Sequence, residues 1–404
     1  MPTFEEARSI ILKSVSPLGA ERVALLDSLG RVIAEDIIAP WHMPCFDNSA
    51  MDGFAVREAD CREPVSLRIT GYIPAGGAAT VPLEPGCAIR IMTGAPLPQG
   101  CDAVVPVEET EESDGHVRIR EKVVPRQHIR FSGEDVRQGE TIIPQGTIIR
   151  SPEISMLASF GKAVVPVYGK ARVAILSTGD ELVELGEPLE DGKIINSNAL
   201  SLAASVLECG ATPIILGIAR DNSESHREKM LEGLKADVLI TSAGVSAGDR
   251  DLVRDILAEL GVKQIFWKVD IKPGGPTAFA LKEGKPVFSL PGNPVSTMVT
   301  FEEFVKPALL RMMGHRRVFK PFKRAVLQGK ARKKPGKINF LRVRLTWENG
   351  RYLAYSSGDQ NTGILKTMLM ADAIAKLPAD RTEFAPGEEV DVHILSCDVD
   401  MLEE

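Results

Sequence analysis

The residues of this chain that could do chemistry are carboxylates, hydroxyls, lysines and glycine-rich loops, and they recur at one kind of place. Thr178, Asp180, Glu181, Asp221, Ser246, Asp249, Asp251, Lys272, Asn293 and Ser296 each follow a short apolar run of strand character. Where strands alternate with helices, their carboxyl ends share one edge of the sheet, and open α/β sheets bind ligands there. The densest case is residues 236–260, ADVLITSAGVSAGDRDLVRDILAEL. Val238, Leu239 and Ile240 read as a buried strand, Gly244 and Gly248 permit positive φ and close backbone approach, and Leu252, Ile256 and Leu260 repeat at helical spacing. Asp249 and Asp251 stand where that helix begins. Backbone N–H groups at a helix start attract anions, and carboxylates there either cap the helix or hold a divalent cation. Taken alone, the stretch fits a capped helix as well as it fits a cradle for a metal-bound phosphate.

Nucleophiles are scarce. None of the six histidines sits in an HExxH pattern, and there is no GxSxG, no GxxxxGK[ST] and no GxGxxG order in TSAGVSAG. The six cysteines, Cys45, Cys61, Cys87, Cys101, Cys209 and Cys397, form no CxxC or Cys/His pairing, so neither a zinc site nor a disulfide framework is indicated. Acyl transfer and zinc hydrolysis fall away. A magnesium-assisted reaction at a phosphoryl-bearing ligand remains, with Asp221 and Asp251 as candidate metal carboxylates and Lys268, Lys272 and Arg342 as anion clamps. Lys272 leads into Pro-Gly-Gly-Pro, a rigid loop whose backbone can approach an oxyanion closely. A formal charge of −7 argues against nucleic-acid binding but allows small anionic substrates, because charge can be arranged locally. Residues 315–344 are strongly basic within this acidic chain; they are either a solvated face or the wall of an anion site.

Several elements must position these groups. The 404 residues, 44% apolar and 25% charged, call for several soluble domains. Apolar runs fall short of the roughly 18 to 20 residues a membrane span needs, and the first residues carry acids where a signal peptide carries bases, which predicts a cytoplasmic protein. Phe4, Ala7, Ile11 and Val15 predict a helix over 4–15, a second is expected over 21–29, and residues 31–40 read as a strand. Residues 41–133 change to short strands punctuated by Pro and Gly, a small β domain. Residues 134–169 return to the texture of 1–40, so the β segment reads as an insertion. Regular strand and helix alternation from 170 to 320 predicts a parallel three-layer α/β sheet, and residues 321–404 a small β-barrel or sandwich.

Seven motifs in order, FDNSAMDGFAV, IMTGAPLP, GEDV, LSTGDEL, GVSAGDRD, IKPGGP and SLPGNPVS, resemble the molybdopterin molybdenumtransferase family, the MoeA-like enzymes whose eukaryotic relative is the E domain of gephyrin. The resemblance spans essentially the whole chain, strong in the α/β region and the inserted β domain and weak after about residue 320. It implies an α/β multidomain fold: a three-layer α/β (molybdopterin-binding-like) domain, an inserted mainly-β domain, a discontinuous N-terminal domain that dimerises, and a small C-terminal β domain. It also implies a homodimer that cleaves adenylyl-molybdopterin with Mg²⁺, inserts molybdate into the dithiolene and releases AMP. The molybdopterin adenylyltransferase and molybdoenzyme acceptors are the protein partners it suggests.

Site residues follow from the same resemblance. Asp52, Thr93, Arg130 and Asp135 match positions at the active cleft, facing the α/β domain of the other subunit. Glu181, Asp221, Ser246 and Asp251 match positions that bind Mg²⁺ and the phosphate-bearing substrate, with Thr178, Gly244, Gly248, Pro291 and Pro294 as further substrate-binding positions. Lys272 with Pro273, Ser296 and Arg342 match the molybdate-holding positions, and Lys268 stands near them in sequence. The family often carries KPGKP where this chain has KPGGP, with Gly275 in place of the second lysine. The α/β segment alone also resembles the single-domain molybdopterin adenylyltransferases. The 169 residues ahead of it, carrying Asp52, Thr93 and Asp135, stand against that reading. A tungstate-inserting paralogue or a non-enzymatic scaffold would carry the same motifs.

Overall fold

A computed structural model describes residues 1–244 and 252–395. They fall into two compact units, one of Met1–Ala34, Gly146–Arg150 and the chain from Val165 onward, the other of Glu35–Gln145 and Ser151–Val164.

The first unit opens with helix Phe4–Ser14. The Thr3 hydroxyl accepts from the Glu6 amide and the Glu6 carboxylate accepts from the Thr3 amide, so two otherwise unpaired donors are satisfied reciprocally. Phe4, Ala7 and Ile11 are its buried stripe. The helix expected over 21–29 does not form. Ala20–Ala24 is a strand paired with Val164–Tyr168, followed by the single 3₁₀ turn Leu26–Ser28. Leu26 and Leu29 are 77% and 59% exposed, so a helix there had no apolar face to bury, and a strand from far along the chain captured the backbone instead.

The central sheet has six strands in the order Thr212–Ala219, Arg172–Thr178, Val238–Ser242, Lys285–Leu290, Ala278–Lys282 and Lys263–Phe266. Alternation sorts its side chains onto two faces: Val173 and Ile175 enter one core with helix Ser197–Glu208, while Ala174 and Leu176 enter the other with helices Ser223–Gly233 and Leu252–Glu259. This is a three-layer arrangement. The first four strands are parallel, but Ala278–Lys282 runs antiparallel to both its neighbours, which corrects the fully parallel expectation; Lys263–Phe266, beyond it, points the same way as the first four. Glu283 and Gly284 both take positive φ between the paired residues Lys282 and Lys285, making the tight turn that reverses the chain there. After the last parallel strand, helix Pro294–Thr300 passes through a π turn, Phe301–Val305, into helix Lys306–Met312.

The C-terminal part is a closed barrel. Ile338–Glu348 pairs with Arg351–Ser356, that with Lys323–Leu327, that with Glu389–Ile394, that with Ala373–Leu377, and the last returns to Ile338–Glu348. Closure leaves no free edge among these five strands. The dipeptide Ile271–Lys272 joins the barrel wall in parallel register, Ile271 opposite Ile338 and Lys272 opposite Asn339.

The second unit carries a six-stranded sheet in the order Ala103–Pro106, Gly53–Val56, Cys87–Ile91, Val65–Ile73, His116–Ile119, Thr110–Ser113. Phe54 and Val56 face one of its cores and Ala55 the other. Among the described residues no helix is long and apolar enough to cross a membrane.

Candidate active site

In the first unit, the carboxyl edge of the parallel strands opens on a cavity of about 750 Å³. Thr178, Glu181, Asp221, Gly244, Pro291 and Pro294 all line it, so these sequence-selected residues do converge. The strand Arg172–Thr178 delivers Thr178 and its neighbour Thr212–Ala219 delivers Asp221. Across their ends the Asp180 amide donates to Asp221 Oδ2 (3.3 Å) and the Asp221 amide to Asp180 Oδ1 (3.2 Å), so each carboxylate pins the other's loop. Gly179 has φ +137°, and a Cβ on it would stand 2.3 Å from Glu181 Oε2; only glycine lets that carboxylate fold back over the turn.

Two residues the sequence reading passes over hold the floor of this cavity. Asn198 Nδ2 donates to Ser242 Oγ (2.9 Å) and to the Gly292 carbonyl (2.8 Å), tying the start of helix Ser197–Glu208 to the ends of two strands. Asn196 caps that helix and its Oδ1 accepts from Ser177 Oγ at 2.8 Å. The only sequence signal for either is an Asn ahead of a helix, which is common wherever helices start.

The charged side chains of the lining are Glu181 and Asp221, with no Lys or Arg among the described residues. Such a wall repels a bare phosphate and suits one that arrives with a divalent cation. Mg²⁺ is held by one or two carboxylates together with substrate phosphates and water, so the donor set fits that ion. Among the described residues no group of three or more His, Cys, Asp and Glu could hold a metal by itself.

The loop 272–276 leaves this cavity for another. Pro276 lines the first; Lys272 and Pro273 line a second of about 280 Å³ between the loop and the barrel. Here the charged groups are Lys272, Lys330 and Arg332, and no carboxylate lines the wall among the described residues. The loop lies on helix Pro294–Thr300: Gly274 has φ +95°, and a Cβ on it would meet Thr300 Cγ2 at 2.3 Å. Asn293, which lines the first cavity, donates from Nδ2 to Oγ1 of Thr362, which lines the second, at 3.1 Å. Beside Gly275, Lys337 Nζ stands 3.8 Å from where a Cβ would lie, so an ammonium from the barrel occupies the neighbourhood of the absent lysine.

Arg342 departs from expectation. It is 1% exposed, and its guanidinium donates from Nε to Thr367 Oγ1 (2.9 Å) and from Nη2 to the carbonyls of Asp359 (3.0 Å) and Asn361 (3.2 Å). Burial holds its pKa below the ordinary guanidinium value. It builds the loop whose Gln360 and Thr362 line the second cavity, and does not itself line it. Ser296 is buried within helix Pro294–Thr300, and Lys268 is exposed; neither lines either cavity. Ser246, Gly248, Asp249 and Asp251 lie outside the described residues.

In the second unit, Asp52 and Thr93 meet directly. Asp52 Oδ1 accepts from the Thr93 amide (2.7 Å) and hydroxyl (2.6 Å), and these two bonds lower the Asp52 pKa, the hydroxyl bond most. Strand pairing brings them together, since Gly53 is opposite Ile91. A Cβ on Gly53 would stand 2.0 Å from the Val105 carbonyl oxygen, so the close strand packing beneath Asp52 requires glycine. Arg130 pairs with Asn48 on the strand leading to Asp52, and the Asp135 amide donates to the Met43 carbonyl. Both Arg130 and Asp135 are exposed.

A three-layer α/β domain with a polar cavity at the carboxyl edge of its parallel strands, a C-terminal barrel joined to its loop and a β unit make a multidomain α/β protein. Residues 174–311 match the model of the probable molybdopterin binding domain, residues 2–161 the MoeA N-terminal region (domain I and II), and residues 324–395 the MoeA C-terminal region (domain IV). The chain is 36% identical to molybdopterin molybdenumtransferase 2 of Mycobacterium tuberculosis, over 97% of its own length and 99% of the relative's. It is 37% identical to the molybdopterin molybdenumtransferase of Bacillus subtilis, over 93% and 90% of the two chains. A crystal structure of the molybdopterin biosynthesis MoeA protein from Pyrococcus horikoshii superposes with a TM-score of 0.82 at 31% identity, covering 98% of this chain and all of that one. The chain belongs to the MoeA family of molybdopterin molybdenumtransferases, and is thus an enzyme of the transferase class.

Proposed function

We propose that the chain inserts molybdenum into molybdopterin, taking adenylyl-molybdopterin and molybdate as substrates and releasing AMP. One observation carries the reading: the loop 272–276 has one end in a carboxylate-lined cavity and the other in a cationic one. A phosphoanhydride with a divalent cation suits the first and a bare oxyanion suits the second, and the loop sets the two side by side. The names of the family's members agree with molybdopterin as the acceptor.

Asp221 and Asp251 would hold Mg²⁺, with Glu181 as a further carboxylate of the first cavity, and the ion would serve as a Lewis acid toward the phosphoanhydride. Lys272 offsets the charge of the oxyanion while Pro273 and the glycines bring backbone close to it. The Asp180–Asp221 exchange of hydrogen bonds holds the Asp221 loop in place at the cavity. A protein nucleophile is not needed, since a molybdate oxygen or water can attack. The same reading takes the chain as a homodimer in which Asp52, Thr93, Arg130 and Asp135 of one subunit complete the site of the other.

The test is to incubate adenylyl-molybdopterin with Mg²⁺ and either molybdate or tungstate, and to follow AMP release together with metal incorporation. AMP release coupled to molybdenum incorporation is the expected result. Protein that makes adenylyl-molybdopterin from ATP but cannot consume it would be an adenylyltransferase, incorporation of tungstate alone would mark a tungsten enzyme, and no turnover would leave a scaffold.

A further inference from the structure

The strongly basic segment 315–344 has a definite place in the fold. Lys330 and Arg332, at the strand Ala331–Arg332, line the second cavity together with Lys272. The strand is held by antiparallel pairing to Glu383–Phe384, which sets Arg332 directly across from Glu383. Arg332 Nε lies 3.0 Å from Glu383 Oε1 and Lys330 Nζ lies 3.9 Å from Oε2 of the same carboxylate. All three side chains are more than half exposed. Lys333 has a different job: its ammonium donates to the backbone carbonyls of Lys337 (3.0 Å) and Ala379 (3.3 Å), fastening the turn that follows.

A chain with a formal charge of −7 repels a dianion at long range. Ionic screening confines any local attraction to within about 10 Å at 0.1 M salt. Cations at the cavity wall can therefore raise the local oxyanion concentration, and a single carboxylate clamped between them decides how much of their charge is felt. We propose that Lys330 and Arg332 capture the tetrahedral oxyanion for the Lys272 cavity and that Glu383 tunes this capture by partly neutralising them. The proposal rests on the reading that this cavity takes the oxyanion. Capture by charge is indifferent to the central atom, so molybdate and tungstate are affected alike and sulfate competes.

The test is equilibrium dialysis of the full chain with molybdate at low and high salt, with circular dichroism to confirm folding. Lys330→Ala and Arg332→Ala should each weaken binding about 3- to 10-fold at low salt and flatten its salt dependence, the effect of removing one exposed cation from a partly screened site. Glu383→Gln keeps the shape of the strand pair and should tighten binding about 2- to 5-fold. Because this variant moves affinity in the opposite sense, general damage to the barrel cannot imitate it. If the double variant Lys330→Ala/Arg332→Ala binds like the wild type while Lys272→Ala loses binding, capture is wrong and the cavity reading stands. Unchanged or weaker binding by Glu383→Gln overturns its tuning role. If Lys272→Ala leaves affinity intact, the cavity reading fails and takes the capture proposal with it.

Discussion

Asp52 is an exposed carboxylate that draws both a hydroxyl and an amide donor from one residue, Thr93. Both bonds favour the ionised form, so it titrates below its ordinary value of 3.8. Thr93→Val removes the hydroxyl bond and leaves the amide, and should move the titration part of the way back up, as followed by carboxyl NMR. The sign follows from linkage: a depressed native pKa contributes stability above the unfolded value, and that contribution fades as pH falls through the native one. In Thr93→Val the contribution should be smaller and its loss should be complete at a higher pH; an unmoved titration would show that the hydroxyl bond is not the cause. Gly244 makes a second test. Its φ is +74°, and a Cβ would meet Val253 Cγ2 at 2.3 Å and Thr178 Oγ1 at 3.1 Å. Gly244→Ala should cost about 1–2 kcal/mol from the left-handed backbone alone. It should also weaken AMP binding, because the clash pushes into the first cavity. Thermal unfolding and AMP titration check the two effects separately.

Among the elements, the loop from Ser356 to Thr362 depends on a single buried guanidinium. Arg342→Met keeps much of the apolar stem but strips the donors from the carbonyls of Asp359 and Asn361. Both residues are exposed and water can reach their carbonyls, so each lost bond costs about 0.5–1.5 kcal/mol. The barrel should melt earlier, and molybdate affinity should fall more than AMP affinity, because Gln360 and Thr362 line only the second cavity. Equal losses would mean that the loop serves both cavities. Elements also differ in how legible they are in sequence. Helix Phe4–Ser14 can be read directly because its capping box and its stripe of Phe4, Ala7 and Ile11 are local. Strand Ala20–Ala24 cannot, because its partner Val164–Tyr168 lies far along the chain. The strand Ala278–Lys282 breaks the strand and helix alternation, because the polar turn at Glu283–Gly284 returns it directly onto Lys285–Leu290 with no helix between.

For the whole molecule, the homodimer proposal has a quantitative consequence. Sedimentation should give a species of twice the 43.8 kDa chain. If each active site draws Asp52 from one subunit and Asp221 from the other, Asp52→Ala and Asp221→Ala should each be inactive alone. Mixed and allowed to exchange, they should recover about a quarter of wild-type turnover, since half the dimers are hybrids and each hybrid has one intact site. No recovery after exchange, with hybrids confirmed by mass, would place both residues in the site of one chain.

Much about this protein is determined by sequence alone. The order of its motifs carries the family, the strand and helix alternation carries the three-layer domain, and Thr178, Glu181, Asp221 and Asn293 converge because parallel strands share one carboxyl edge. The tertiary structure decides which charges share a cavity. Lys272 meets Lys330 and Arg332 only because Ile271–Lys272 is stitched into the barrel wall. Arg342 turns inward because its guanidinium satisfies carbonyls of a loop that closes over it. Such contacts join residues distant in the chain, and no local pattern of residue types encodes them.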